Sequence, residues 1–368
     1  MKRQHSFVVP TLLAFATVFP LASAAATFCV GSADALSDAL ATAEANGEDN
    51  DIRVRVGVYQ APDAGFHVDL LEGRHSLSVT GGFTDAGCTE RTRDASATVL
   101  DGRDAVRPLT IDTSRSSGIA DPDHAITVVG FTFRHGSDAV VGALKISDSG
   151  PIYGGVITVE GNAFLDNATA SGVLEGGPAL LAATDGPDFA GGTGLFVRNN
   201  LFARNTGPNA PAVFVYSNNH VDVSNNTFVG NIATDATLDE RVTFASFTFS
   251  GVDFSNNVFR DNAATFDLHA TNVTDLVDNA LASLGGTPRS EAGTIEVDPR
   301  FVDEAGGDYR LAAGSPLIDA GTDTPAGGAA GFDLDGVTRV QGVHLDIGAY
   351  EFAGASADAI FADGFDGS

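Results

Sequence analysis

The sequence predicts an all-β fold, a solenoid of stacked coils closed at its N-terminus by a short capping helix. Three observations predict it. Of 368 residues 43 are glycine and 25 phenylalanine, with no tryptophan and one methionine, which is the make-up of a turn-rich β chain rather than a helical bundle. Short β-favouring runs recur between clusters of Gly, Asp and Ser. A motif of Asn, any residue, then Phe or Leu repeats through the middle of the chain. Hydrophobic residues make up 43%, enough to fill a core.

Residues 1–26 hold Lys2 and Arg3, an apolar run from Phe7 to Leu21 and the small-residue triplet Ala22-Ser23-Ala24, the pattern of a cleaved secretory signal peptide. The run is short, is broken by Pro10 and Pro20, and has no basic stop-transfer flank. No later apolar stretch reaches the ~18 residues of a spanning helix. The expectation is a protein exported to the extracellular space or the cell surface, with no transmembrane segment in the mature chain. Export places Cys29 and Cys88 in an oxidising compartment, where two thiols pair. Such a bridge adds roughly 4 kcal/mol at best by chain entropy and pins the cap to the solenoid. A metal pair or a reactive thiol would need further Cys and His at ligand spacing.

Residues 27–50 form the cap: Ser32 starts a helix with Leu36, Leu40 and Ala43 on one face, and Asn46-Gly47 stops it. The coils occupy 51–290. Ile52-Arg53-Val54-Arg55-Val56 alternates as a half-buried strand, and β runs follow at 77–79, 99–100, 109–111 and 126–129. The repeat appears as Asn162-Ala163-Phe164 with Asn167, Asn200-Leu201-Phe202 with Asn205, Asn226-Thr227-Phe228 with Asn231, and Asn257-Val258-Phe259 with Asn262. Asn279-Ala280-Leu281 is a degenerate last copy, and Phe131-Thr132-Phe133 a first one without the Asn. The intervals are unequal, the longest falling after Asn162, which suits β coils with variable loops. A single coil would expose its Phe, so the coils stack at the ~4.8 Å strand spacing into Phe and Asn ladders. Asn162, Asn200, Asn226 and Asn257 are expected at a tight bend, because Asn tolerates left-handed backbone and its amide bonds the next rung. Their role is read as structural rather than catalytic.

These Asn-x-Phe coils resemble the right-handed parallel β-helix proteins of the pectate-lyase-like superfamily, and the preceding helix matches the usual N-terminal cap. The resemblance implies a fold and not an activity, since lyases, hydrolases, adhesins and inert stalks share it. Residues 291–352 carry Asp298-Pro299-Arg300-Phe301, Gly307-Asp308-Tyr309-Arg310-Leu311, Ser315-Pro316-Leu317-Ile318-Asp319-Ala320-Gly321, Asp333-Leu334-Asp335-Gly336 with Arg339, and Asp346-Ile347-Gly348-Ala349-Tyr350-Glu351. These blocks resemble the choice-of-anchor Q domain of bacterial exported β-helix proteins, which implies extracellular display without implying catalysis. In the tail, 353–368, the stretch Ile360-Phe361-Ala362-Asp363-Gly364-Phe365-Asp366 resembles a short terminal tag of secreted Gram-negative proteins.

Aligning the repeats places Thr127, Thr158, Phe196, Asp222, Asp253 and Asp275 in one outward row, with Val159, Val197, Val223, Phe254 and Leu276 pointing inward. Carboxylates on consecutive rungs stand ~5 Å apart, a spacing that raises a pKa or recruits a cation and resembles that of retaining glycosidases. The superfamily resemblance implies the same, because its pectinolytic enzymes cluster acids this way. Against it, 48 acids in one chain align some by chance, and a solenoid's outer face is polar somewhere. The row two places before the Asn holds Glu160, Arg198, Ser224 and Ser255, which leaves Arg198 as the nearby base or saccharide clamp. Asp333, Asp335, Asp346 and Glu351 offer oxygens for a Ca²⁺ site, and the competing reading pairs Arg339 with one of them to close the last coil. His135, Asp166, Arg204 and Asp261 read as a solvated loop row. No glycine-rich phosphate loop precedes a helix.

A formal net charge of −28 repels polyanions and argues against nucleic acid as partner. The expected protein is exported, non-catalytic and monomeric, in a bacterial envelope or the extracellular space, and serves adhesion, display or contact with a cell-surface or extracellular polysaccharide. It requires no cofactor, with Ca²⁺ the one candidate ion. The alternative is a polysaccharide lyase or glycoside hydrolase working through the row of Asp222, Asp253 and Asp275.

Overall fold

The computed structural model describes residues 25–70, 75–113, 124–147, 155–170, 178–184, 193–248 and 250–354. The signal-peptide stretch up to Ala24 and the terminal tag lie outside the described residues.

The chain is a parallel β-helix. One coil shows the pattern: Val156–Glu160 in a first sheet, Ala163–Leu165 in a second, the two-residue Ala168–Thr169 at a bend, and Leu180–Thr184 in a third, before Thr193–Arg198 begins the next coil beside the start of the last. Among the described residues the three sheets hold ten, seven and eight strands, and a fourth, of four short strands, lines the bend before the third sheet. Pairing is parallel and in register from coil to coil, as in Thr158 opposite Thr127 and Phe196, and Phe164 opposite Phe133 and Phe202. In Val156–Glu160 the side chains alternate, with Ile157 and Val159 buried and their neighbours half-buried.

The interior is continuous. Phe133, Phe164, Phe202, Phe228 and Phe259 stack with ring centroids 5.0, 4.6, 5.0 and 4.4 Å apart. Burying one Phe is worth about 2–3 kcal/mol, and each stacked pair about 0.5–1.5 kcal/mol more.

At the first bend the amides form a ladder. The Nδ2 of Asn162, Asn200, Asn226 and Asn257 donates to the Oδ1 of the next Asn at 3.2, 3.0, 3.0 and 3.0 Å, ending on Asn279. Each also donates to a backbone carbonyl of the rung before, Val128, Val159, Val197 and Val223 in turn. A second ladder, Asn167, Asn205, Asn231 and Asn262, lines the other bend and ends where Asn262 donates to the Asp267 carboxylate. The ladder residues are not themselves left-handed, contrary to expectation. Positive φ belongs to the residue before each one, Gly161, Asn199, Asn225, Asn256 and Asp278, and at the second bend to Asp166, Arg204, Gly230 and Asp261, with Gly130 and His135 in the same places of the coil before the ladders begin. One residue per bend must turn the chain, and the next is then free to direct its amide inward.

The N-terminal end is closed as expected. The helix Ala33–Ala45 is capped by the Ser32 side chain and buries Leu36, Ala39, Leu40 and Ala43. The strand Ala26–Val30 precedes the helix and forms one edge of the first sheet. The disulfide between Cys29 and Cys88, with Cα atoms 5.6 Å apart, ties that edge to the turn after Leu77–Phe83.

Beyond the strand Ser290–Ala292, which ends the first sheet, and the parallel bridge of Ile295 to Ala280, the C-terminal region makes no further coil. After the antiparallel hairpin of Phe301–Asp303 and Asp308–Leu311 it runs back along the outside of the solenoid. Tyr309, Leu334 and Ala349 pack on the outward side chains of Ala163, Leu201, Ala203 and Val229 in the second sheet. Polar contacts fasten the same cover to the bends: Asn225 donates to the Asp346 carbonyl, Asn256 to that of Thr322, and Arg204 to the Tyr309 hydroxyl. Arg204 is held from its other side by Asp166, so the row expected to be solvated is partly built into this contact. Among the described residues no helix is long and apolar enough to cross a membrane.

Candidate functional site

The outward face of the first sheet brings the candidate acids together. Asp222, Asp253 and Asp275 sit directly opposite one another on three consecutive rungs, with Phe196 on the rung before. Strand alternation puts them outside while Val223, Phe254 and Leu276 fill the core.

The row is not an open strip, however, and each acid has a different fate. Asp222 is fully buried. Its Oδ1 accepts from Ser224 Oγ at 2.7 Å, and its Oδ2 from the backbone N–H of Gly327, in the C-terminal cover, at 2.8 Å. A Cβ at Gly327 would stand 2.5 Å from the Asp222 carboxyl carbon, so only glycine fits. Burial pushes the Asp222 carboxyl up, and the Ser224 and Gly327 hydrogen bonds oppose that. Asp253 lies 2.5 Å from His220 Nε2, and this hydrogen bond raises the imidazole pKa. Asp275 takes Arg289 and, at 2.5 Å, the Ser290 hydroxyl. The Arg289 hydrogen bonds hold its carboxyl down at about 2.

Arg198 does not face the acids as a free base. Its Nε binds Glu160 Oε2 at 2.6 Å, its guanidinium lies 5.1 Å from the Phe196 ring centre, and its Nη1 donates to the Gly327 carbonyl at 3.1 Å. Gly327 is therefore clipped at both ends of its backbone, by Asp222 and by Arg198.

The acids of the C-terminal region do not converge on a cation site. Arg339 occupies their centre, almost fully buried, with Nη1 on Glu351 Oε1 at 2.7 Å and Nη2 on Asn199 Oδ1 at 2.8 Å and the Gly348 carbonyl at 2.9 Å. Asp333 accepts backbone N–H groups of Asp335, Val337 and Glu351. Asp346 accepts those of Asp319 and Phe352, and burial lifts its carboxyl to about 6. The carboxylate oxygens of Asp333, Asp346 and Glu351 are spent on these donors while Asp335 is exposed, and among the described residues no group of three or more His, Cys, Asp or Glu is placed to hold a metal. The Arg339 pair exists, but it fastens the cover to the bend at Asn199 rather than closing the last coil.

Sequence reading missed His220, Arg289 and Gly327. His220 was within reach, since alternation puts it on the same face as Asp222 in the strand His220–Ser224. Gly327 was not, because it lies 105 residues from its partner in a stretch without periodicity.

Coils, ladders and cap together define a parallel β-helix protein. The crystal structure of pectate lyase Pel9A is similar to this chain, with a TM-score of 0.43 and 11% sequence identity over 89% of this chain and 97% of that one. At that distance the match says nothing about which residues act. No family model and no curated protein matches the chain.

Proposed function

We propose that this is an exported, non-catalytic β-helix protein, displayed outside the cell or at its surface, that contacts extracellular polysaccharide. The observation that carries the reading is the state of the acid row. Asp222 is sealed under Gly327, Asp253 is matched by His220 and Asp275 by Arg289. Catalytic carboxylates need access to the scissile bond and a water or leaving group beside them, and this row offers neither at Asp222. The signal-peptide pattern and the blocks resembling the choice-of-anchor Q domain support export and display. The test is incubation of the full chain with acidic and neutral polysaccharides, with and without Ca²⁺. Binding without product release is expected. Product release that disappears in Asp253→Ala overturns the reading.

One observation favours the alternative of a polysaccharide lyase or glycoside hydrolase. Asp222, its carboxyl raised by burial, stands one rung from a His220–Asp253 pair, and groups with pKa values pushed apart are the material of acid–base catalysis. That chemistry would require the cover, with Gly327, to lift from Asp222. Activity that appears only when Gly327 is displaced, as in Gly327→Leu, would favour it.

A further inference from the structure

A second polar site lies on another side of the solenoid, at the bends that lead into the third sheet. A cleft of about 540 Å³ opens there. Four successive coils contribute to it, through Asp63, Arg107, Ser137 and Ala170 in turn, so at ~4.8 Å per rung it runs for about 15 Å.

Its polar groups are held in place before any ligand arrives. Arg107 donates Nε to the Val141 carbonyl at 3.0 Å, Nη1 to Thr110 Oγ1 at 3.0 Å and Nη2 to Asp138 Oδ1 at 2.5 Å. Asp138 Oδ1 also accepts from the Val140 N–H at 2.9 Å. These bonds leave further valences on side chains that line the cleft: the second oxygen of Asp138, the Thr110 hydroxyl proton, the remaining N–H groups of Arg107 and the Ser137 hydroxyl. The rest of the lining is small, with exposed alanines at 64, 105, 139 and 170 and the half-buried Val106.

We infer that this cleft binds a neutral oligosaccharide. Arg107 is matched by Asp138, and Asp63 by Arg103 at 2.9 Å, so no net local charge calls for a charged ligand. The −28 of the whole chain and the two flanking carboxylates oppose a polyanion. Methyl groups without a large apolar side chain make no pocket for an aromatic or aliphatic anchor. A hydroxyl-rich chain fits, because each hydroxyl both donates and accepts and so satisfies this mixed, fixed set. The inference rests on the glycan-contact reading above and gives it a place remote from the acid row.

The experiment is titration calorimetry of the full chain with hexamers of β-1,4-glucan, β-1,4-mannan and β-1,4-galactan, and with hexagalacturonate as the acidic control. Ala139→Trp fills the cleft without touching its hydrogen bonds, and Thr110→Val removes one hydroxyl at constant shape. A neutral hexamer should bind the wild type and bind Ala139→Trp at least about tenfold more weakly with an unchanged melting temperature, with a smaller loss in Thr110→Val, which also leaves Arg107 Nη1 without that acceptor. Asp253→Ala should bind as the wild type does. Equal binding by wild type and Ala139→Trp overturns the cleft and leaves the glycan reading standing. Binding of hexagalacturonate alone overturns the neutral ligand. No binding of any hexamer by the wild type overturns both.

Discussion

The solenoid and its C-terminal cover solve the same problem, the burial of polar groups, in opposite ways. Along the two bends of the solenoid the buried ladder residues are neutral amides, each bonded to a copy of itself one rung away. Under the cover they are charges, Arg339 with Glu351 and Asp346 nearby, held in a constellation that occurs once. A periodic neutral network spreads its energy over many similar rungs, whereas an aperiodic charged one concentrates it in a single guanidinium. Damage to the first should be graded, and damage to the second abrupt.

The sharpest way to break that contrast is Arg339→Met. It leaves the Glu351 carboxylate buried without its counter-charge, a loss of about 3–5 kcal/mol. The loss should stay local, so limited proteolysis should cut within residues 298–353 while the β circular dichroism of the coils persists. Simultaneous loss of coils and cover would show that the two regions are not independent.

Removing the bridge tests the solenoid's other end. The double variant Cys29→Ser, Cys88→Ser should lose up to about 4 kcal/mol, with amide exchange rising first in Ala26–Val30 and the cap helix. Non-reducing peptide mapping of the wild type should recover the two cysteines as one linked pair.

The cover should also respond to pH. Asp346 has a folded pKa of about 6 against an unfolded value of about 3.9, so the folded state holds the extra proton between those values. Its contribution is complete below about pH 4 and is lost as pH rises through about 6, a change on the order of 3 kcal/mol. Asp346→Asn should flatten the profile of cover opening over that window. A slope that survives the substitution assigns the titration elsewhere.

The smallest effects belong to the ladder. Asn226 Oδ1 receives both the N–H and the Nδ2 of Asn200, whereas Asn162 Oδ1 receives the Phe131 N–H. Asn226→Ala should therefore cost about 2–3 kcal/mol and Asn162→Ala about 1–2 kcal/mol, read by thermal unfolding. The long interval after Asn162 does not weaken its rung, since the bond to Asn200 is made as elsewhere. If Asn162→Ala proved the more damaging, the accounting by donors would be wrong.

The solenoid was legible because each coil repeats its requirements at fixed offsets. Asn, Phe and the second Asn return at the same places around the turn, and Ser32 and Asn46-Gly47 mark the cap helix by local chemistry alone. The alignment of Asp222, Asp253 and Asp275 followed from the same offsets. The left-handed positions were written there too, since Gly130 and Gly161 stand where Asn199, Asn225 and Asn256 stand in later coils. In the doublets Asn199-Asn200, Asn225-Asn226 and Asn256-Asn257 the two roles were easily exchanged. The cover was not legible. Its contacts, Gly327 on Asp222 and Arg339 on Asn199, join residues over a hundred positions apart, and no period announces them. The exposure of the acid row was misjudged for that reason, although its register was right.

The amide ladder along the second bend has an orientation as well as a length. In every link the Nδ2 of one asparagine meets the Oδ1 of the next in the direction of increasing residue number, so the amide dipoles add head to tail, as peptide dipoles do in a helix. The positive end falls at Asn262, and there the row terminates on the carboxylate of Asp267, itself buried and held by the N–H groups of Ala282 and Ser283. The stack thus carries an electrical polarity fixed by its sequence, and a single anion closes it at the end where further coils would have to be added.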